Sequence, residues 1–137
     1  MRSLSCAGLI AAITWGVIGL AGCGGGSPKG VAKAFVAAMR DGDSARAAGY
    51  WDYITYARQE NPDWDNIATG QRNLIIKELQ KKRAQELEYW QRYFPIGCKV
   101  SEIMVEGDSA IATIADGRAN EVHLIKVDNG WYVNEVK

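Results

Sequence analysis

The order of apolar and polar positions divides the chain into a helical half and a strand half. Val31, Phe35, Val36 and Met39 recur at helical spacing, and Gly42 stands where that helix must end. Asp43 is placed to cap a second helix running through Ala47, Tyr50, Trp51 and Ile54. Asn61-Pro62 fits a cap followed by proline at the first helical position, opening a short helix around Trp64 and Ile67. Thr69 then starts a long helix from about Gln71 to Phe94, which Pro95 stops. After Gly97 the period changes. Val100 to Val105, Ala110 to Ala115, Val122 to Val127 and Trp131 to Val136 are short segments rich in β-branched residues. Gly107-Asp108, Asp116-Gly117 and Asn129-Gly130 separate them as hairpin signals. Helices followed by an antiparallel meander predict an α+β domain. Of the glycines beyond Gly30, all but Gly49 fall where one pattern gives way to another.

The N-terminus has a different character. Met1-Arg2-Ser3 is a short cationic start, and Ala7 to Leu20 is an apolar run interrupted only by Thr14 and glycines. That run is short of the roughly 20 apolar residues a spanning helix needs, and it has the proportions of a secretory signal's hydrophobic region. Leu20-Ala21-Gly22-Cys23 follows, and these four residues resemble the lipobox of bacterial lipoproteins. The resemblance implies that residues 1–22 are a signal peptide cut before Cys23. It also implies a diacylglyceryl group on the Cys23 sulfur and an acylated amino terminus. Each buried CH₂ contributes about 0.8 kcal/mol, so two or more chains make a stable tether. Gly24 stands where an aspartate often retains such proteins in the inner membrane, so the resemblance favours the outer membrane of a Gram-negative cell. In other cells it implies the outer face of the cytoplasmic membrane. Residues 23–30 form a glycine-rich linker, whose seven residues after Cys23 span on the order of 15 Å as flexible coil, and residues 31–137 form one domain.

Beyond residue 22 the chain carries 15 basic and 16 acidic side chains. That balance argues against nucleic acid, which calls for a clustered basic excess. A domain of this length with Cys23 and Cys98 as its cysteines has no disulfide framework.

A second resemblance concerns the domain. Val31 to Trp51, with Asp41-Gly42-Asp43 breaking two amphipathic helices, resembles the opening of the nuclear-transport-factor-2-like (cystatin-like) superfamily. The closing Gly130-Trp131-Tyr132-Val133 resembles the last strand of small envelope lipoproteins in it. The resemblance implies a curved four-stranded sheet wrapping the long helix as a cone. Because that superfamily holds isomerases, dehydratases and binding modules alike, function has to be read from the site.

The candidate chemistry is sparse. Gly107-Asp108-Ser109 lacks the Gly-x-Ser-x-Gly elbow of a hydrolase and reads as a turn. Cys98 and His123 are the residues of a conceivable nucleophile pair, but a lone cysteine near a strand start reads as a small buried apolar residue. Two such ligands also fall short of a zinc site. An isomerase would place a carboxylate in an apolar pocket opposite a tyrosine. Asp52 lies between Tyr50 and Tyr53, yet its helical position turns it from the Trp51/Ile54 stripe toward solvent. Tyr50, Trp51, Tyr53 and Tyr56 cover more circumference than one core stripe requires, which fits either core packing or a pocket wall. Arg83 interrupts the stripe of Ile76, Leu79, Leu87, Trp90 and Phe94. It either snorkels to the edge of the buried face or projects into a cavity and binds an anionic group. Lys81-Lys82-Arg83 pairs locally with Glu78 and Glu86, too small a cluster for a lipid patch.

The expected ligand-binding set is therefore Arg83, Tyr50, Tyr53 and Trp90, with Cys23 as lipid carrier and no catalytic residue, metal or cofactor. The expected function is a lipid-anchored, non-catalytic binding or accessory module of the cell envelope, holding a small apolar or anionic ligand. The alternatives are an assembly lipoprotein acting through its sheet face or a dimer interface, and, third, an isomerase- or dehydratase-like enzyme. The expected partners are the membrane, a small molecule, and a second copy or an envelope protein.

Overall fold

The computed structural model describes residues 26–137. The signal segment 1–22, the lipid-bearing Cys23 and the linker up to residue 25 lie outside the described residues. Among the described residues no helix is long and apolar enough to cross a membrane.

Helix α1 spans Pro28–Arg40. The Ser27 hydroxyl caps it by accepting the Gly30 N–H at 3.0 Å, and Pro28 occupies a first-turn position where no N–H is needed. Its expected stripe is buried, with Val31, Phe35, Val36 and Met39 all at 5% exposure or less. Gly42, at φ +76°, turns the chain. The Asp43 carboxylate then caps α2, Ser44–Ala48, by accepting the Arg46 N–H at 3.1 Å.

The second helix was expected to continue through Ile54, and it does not. It ends at Gly49, so this glycine also marks a change of pattern. Residues 50–52 leave the helix because β4 supplies better partners: Val133 N–H donates to the Tyr50 carbonyl and Asp52 N–H donates to the Val133 carbonyl, each at 2.8 Å. Trp51 thereby forms a parallel bridge with Val133. Helix α3 follows at Ile54–Glu60, then a 3₁₀ turn at Trp64–Asn66 and the long helix α4 at Thr69–Trp90. A second 3₁₀ turn, Gln91–Tyr93, leads to Phe94 and Pro95.

The four strands are β1 Lys99–Glu106, β2 Ser109–Ala115, β3 Glu121–Val127 and β4 Gly130–Val136, all antiparallel in the order β1-β2-β3-β4. Gly107 at φ +61° opens the first turn. The last turn is made by Asp128 (φ 49°) and Asn129 (φ 68°), while Gly130 already pairs with Val127 as part of β4. Positive φ at both central residues is the type I′ pattern that matches strand twist. A bulge at His123/Leu124 shifts the β3–β4 register by one residue.

The α+β class, the meander and the long helix are as expected. The distribution of packing adds a feature. Helix α1 lies against all four strands, where the small Ala110 and Ala112 admit Phe35, Val36 and Met39 to the inner face. Helix α4 packs mainly on α2. Of its residues, Leu87 is buried, whereas Ile76, Leu79, Arg83, Ala84 and Trp90 are half-buried. With α1 seated on the inner face, α4 stands over the β4 edge and leaves a groove.

Candidate functional site

Trp51 is the centre of the groove. It is half-buried, its inner side packs on Phe35 with ring centroids 6.1 Å apart, and its indole lines three adjoining depressions. The middle depression, about 450 Å³, lies between Tyr53, Tyr56, Leu79, Lys82, Arg83 and Ile125. A second, about 260 Å³, lies between Arg83, Leu87 and Trp90 on α4 and Asn134, Glu135 and Val136 on β4. The third, about 310 Å³, is framed by Trp64, Arg72, Asn73, Gln80 and Tyr132. From Arg72 to Trp90 the groove follows α4 for about 27 Å at 1.5 Å per residue.

Arg83 crosses this groove. Its guanidinium carbon sits 4.3 Å from the Trp51 ring centroid, and Nη1 donates to Glu86 Oε2 at 3.2 Å. Its Nε is buried and has no hydrogen-bond partner among the described residues. The side chain is 32% exposed, so it neither reaches fully into water nor closes into the core. A planar guanidinium resting on an aromatic face keeps its remaining donors available to a carboxylate or phosphate.

The four ligand-binding candidates divide. Arg83, Tyr53 and Trp90 all line the groove; Tyr50 lines none of the three depressions and packs against the core instead. Tyr53 is 6% exposed, and its hydroxyl donates to the Ala48 carbonyl at 2.6 Å, tying the end of α2 to the groove wall. Trp90 stacks at a tilt on Tyr93, 5.1 Å away. Trp51, the residue shared by all three depressions, is not in the predicted set, and neither are the β4 residues 134–136.

Asp52 does not face solvent. It is 9% exposed, and its Oδ1 accepts the N–H groups of Ile54 and Thr55, both at 3.1 Å. The helical wheel misplaces it because the helix is broken at Gly49. Its carboxylate organises the first turn of α3. At the opposite rim Arg58 bridges Asp65 (3.1 Å) and Asp128 (2.8 Å), tying α3 to the β3–β4 turn. Hydrogen bonds to Asp128 and then Asp65 push the Arg58 guanidinium above its ordinary value.

Cys98 and His123 are not a pair. Cys98 is fully buried in the core, and burial pushes its thiol up despite the opposing charge of Arg40. His123 lies on the other side of the sheet from core-facing Val122 and Leu124, with Nε2 at 2.8 Å from Glu121 and Nδ1 at 3.8 Å from Glu135. Among the described residues there is no group of three or more metal-binding side chains.

The fold and groove define an α+β domain with a helix-walled cleft beside an edge strand. The family model for the domain of unknown function DUF4878 matches residues 21–134, and the chain belongs to that family. No curated protein matches it. A solved structure from Campylobacter jejuni, described as an NTF2-like transpeptidase, is similar at 18% identity with a TM-score of 0.47. It covers 80% of this chain and 99% of its own. The family's description states no activity, so function has to come from the groove.

Proposed function

We propose that the chain is a lipid-anchored, non-catalytic binding module of the cell envelope, whose groove along α4 takes a ligand with an apolar body and an anionic group. The observation that carries this reading is Arg83, held over the Trp51 ring inside the groove with a buried Nε that has no hydrogen-bond partner among the described residues. Around Arg83 the groove offers apolar surface from Trp51, Leu87, Trp90 and Val136 beside the polar Glu86, Asn134 and Glu135, a mixture that suits a ligand with an apolar body and a charged group. The buried carboxylate nearest the tyrosines, Asp52, already accepts two backbone N–H groups, which favours binding over acid–base chemistry. The anchor rests on the lipobox resemblance of Leu20-Ala21-Gly22-Cys23.

Native mass spectrometry of the full protein, purified in mild detergent from its own host, tests both parts. The expected result is a mature chain beginning at lipid-modified Cys23 and carrying extra mass that Arg83→Gln loses. A bare subunit mass in both proteins overturns the groove reading, and any other N-terminus overturns the anchor.

One observation favours a second reading, an assembly lipoprotein acting through its sheet. Met104 (66% exposed) and Ile111 (37%) are cross-strand neighbours on the outward face beside β1, an edge strand of the sheet among the described residues. Sedimentation that shows a concentration-dependent dimer, abolished by Met104→Glu, would support it.

A further inference from the structure

We infer that the ligand of this groove is an extended peptide segment, added as a strand to the β4 edge at Val136, beyond the stretch that residues 50–52 occupy, with an acidic residue on Arg83. The inference rests on the groove reading and specifies its ligand.

The register of the sheet decides which backbone groups of β4 face the groove. Glu121 and Lys137 exchange both backbone hydrogen bonds, at 3.0 and 2.9 Å. In an antiparallel ladder such pairs alternate with pairs whose N–H and C=O point away from each other. His123 and Glu135 are the next bonded pair, and Val122 opposite Val136 is a non-bonded one. The N–H and C=O of Val136 therefore turn away from β3 toward the β4 edge, where Val136 lines the groove opposite Arg83, Leu87 and Trp90.

The chain itself shows that this edge accepts a strand. Residues 50–52 already pair there, through both backbone groups of Val133 at 2.8 Å. Among the described residues no backbone partner on this edge follows for Val136. The bulge that makes Asn134 an extra residue spaces these two edge-facing positions along the groove. A peptide joining at Val136 would continue the line that residues 50–52 begin, which is strand addition at an exposed sheet edge.

Side chains narrow the class. A strand sends alternate residues to opposite sides, so one set would meet Leu87 and Trp90 and would be apolar. Arg83 fits a carboxylate, while Glu86 and Glu135 on the same rim disfavour a second acid beside it. A lipid tail has no partner for the N–H and C=O of Val136, and a glycan's hydroxyls do not follow the strand repeat; a peptide presents a C=O and an N–H at that repeat.

The test uses the full-length protein in detergent, panned against a phage-displayed library of random decapeptides, with selected peptides then synthesised. Expected hits carry an acidic residue among apolar ones. Val136→Pro removes an N–H that the β3–β4 ladder does not use, an edge substitution that a sheet tolerates. It should weaken binding at least tenfold while circular dichroism stays unchanged. Hydrogen exchange at the Val136 amide should slow by a similar factor when peptide binds the unsubstituted protein, a readout independent of the variant's folding. Val105→Pro, which removes an outward N–H from the opposite edge strand, should leave affinity unaltered. Loss of binding in Val105→Pro alone, unprotected Val136 in the complex, or a library yielding no binder would each overturn the inference. If the native ligand's mass survives in Val136→Pro but not in Arg83→Gln, the groove reading stands and the peptide is wrong.

Discussion

The guanidinium of Arg83 lies 4.3 Å above the Trp51 ring, which puts the one cation of an otherwise apolar helix stripe onto an aromatic face. The contact explains how Arg83 remains between Leu79 and Leu87. The ring's negative face offsets part of the lost hydration, and Glu86 takes one N–H.

Because the side chain is still 32% exposed, this contact contributes modestly, about 0.5–1 kcal/mol. Arg83→Leu should therefore change stability by no more than about 1 kcal/mol, while abolishing retention of an anionic ligand. Arg83→Lys keeps the charge but loses the planar fork, and should retain ligand only partly. Urea denaturation and native mass spectrometry on the same preparations check both. A Leu variant that is more stable and still loaded would return Arg83 to a packing role.

Asp52 makes a contrasting case, a buried carboxylate that also lines the middle depression but whose Oδ1 is taken by the backbone at the start of α3. Asp52→Ala leaves the N–H groups of Ile54 and Thr55 without their acceptor and should cost about 1 kcal/mol. Asp52→Asn keeps an accepting oxygen and should recover most of it. Urea midpoints of the three proteins give the comparison. An Asn variant as unstable as Ala would show that the charge, rather than the cap, matters.

Much of this architecture is legible along the chain, for physical reasons that also mark where legibility ends. Each strand was visible because alternation and turn residues are local signals, and α1 because Val31, Phe35, Val36 and Met39 face one way. The break after Ala48 was not visible. Tyr50, Trp51 and Ile54 fit a helical period, and only Val133, distant in sequence, draws residues 50–52 into a bridge. The misplacement of Asp52 and the choice of Tyr50 as a wall residue both follow from continuing that helix. Arg83 could be found as an anomaly in its stripe. Trp51 could be picked out as one of four aromatic candidates for core or wall, but not as the centre of the groove, because that role depends on α1 and α4 meeting it from different sides. Whether the domain held a cavity turned on Ala110 and Ala112, whose small side chains let α1 occupy the sheet and leave α4 at its edge.

The β3–β4 turn allows a test of backbone conformation apart from packing. Asn129 holds φ at 68°, in the left-handed region that asparagine tolerates and alanine does not. Asn129→Ala should lower stability by about 1 kcal/mol, and Asn129→Gly should match the original or exceed it slightly. Thermal melts suffice, since neither change touches the Arg58–Asp128 ion pair. A neutral Ala variant would mean that the turn relaxes to another type.

Cys98 connects core packing to pH. It is 0% exposed, and burial raises its thiol above the ordinary range, with Arg40 acting in the opposite sense. In the unfolded chain a thiol titrates at about 8.5. Between that pH and the higher folded value, the folded state binds more protons than the unfolded one, so stability falls as pH rises through the window. Below about pH 8.5 the thiol is neutral in both states and contributes no slope. Cys98→Ala removes this term while leaving the tyrosine and lysine titrations in place. The difference in urea midpoint between the original and Cys98→Ala should therefore be constant up to about pH 8 and shift against the original by pH 10. In parallel, iodoacetamide at pH 7.5 should label Cys98 only once denaturant opens the core, because the thiolate is the reactive form. A midpoint difference independent of pH, or rapid labelling of the native protein, would place the thiol in water rather than in the hydrophobic core.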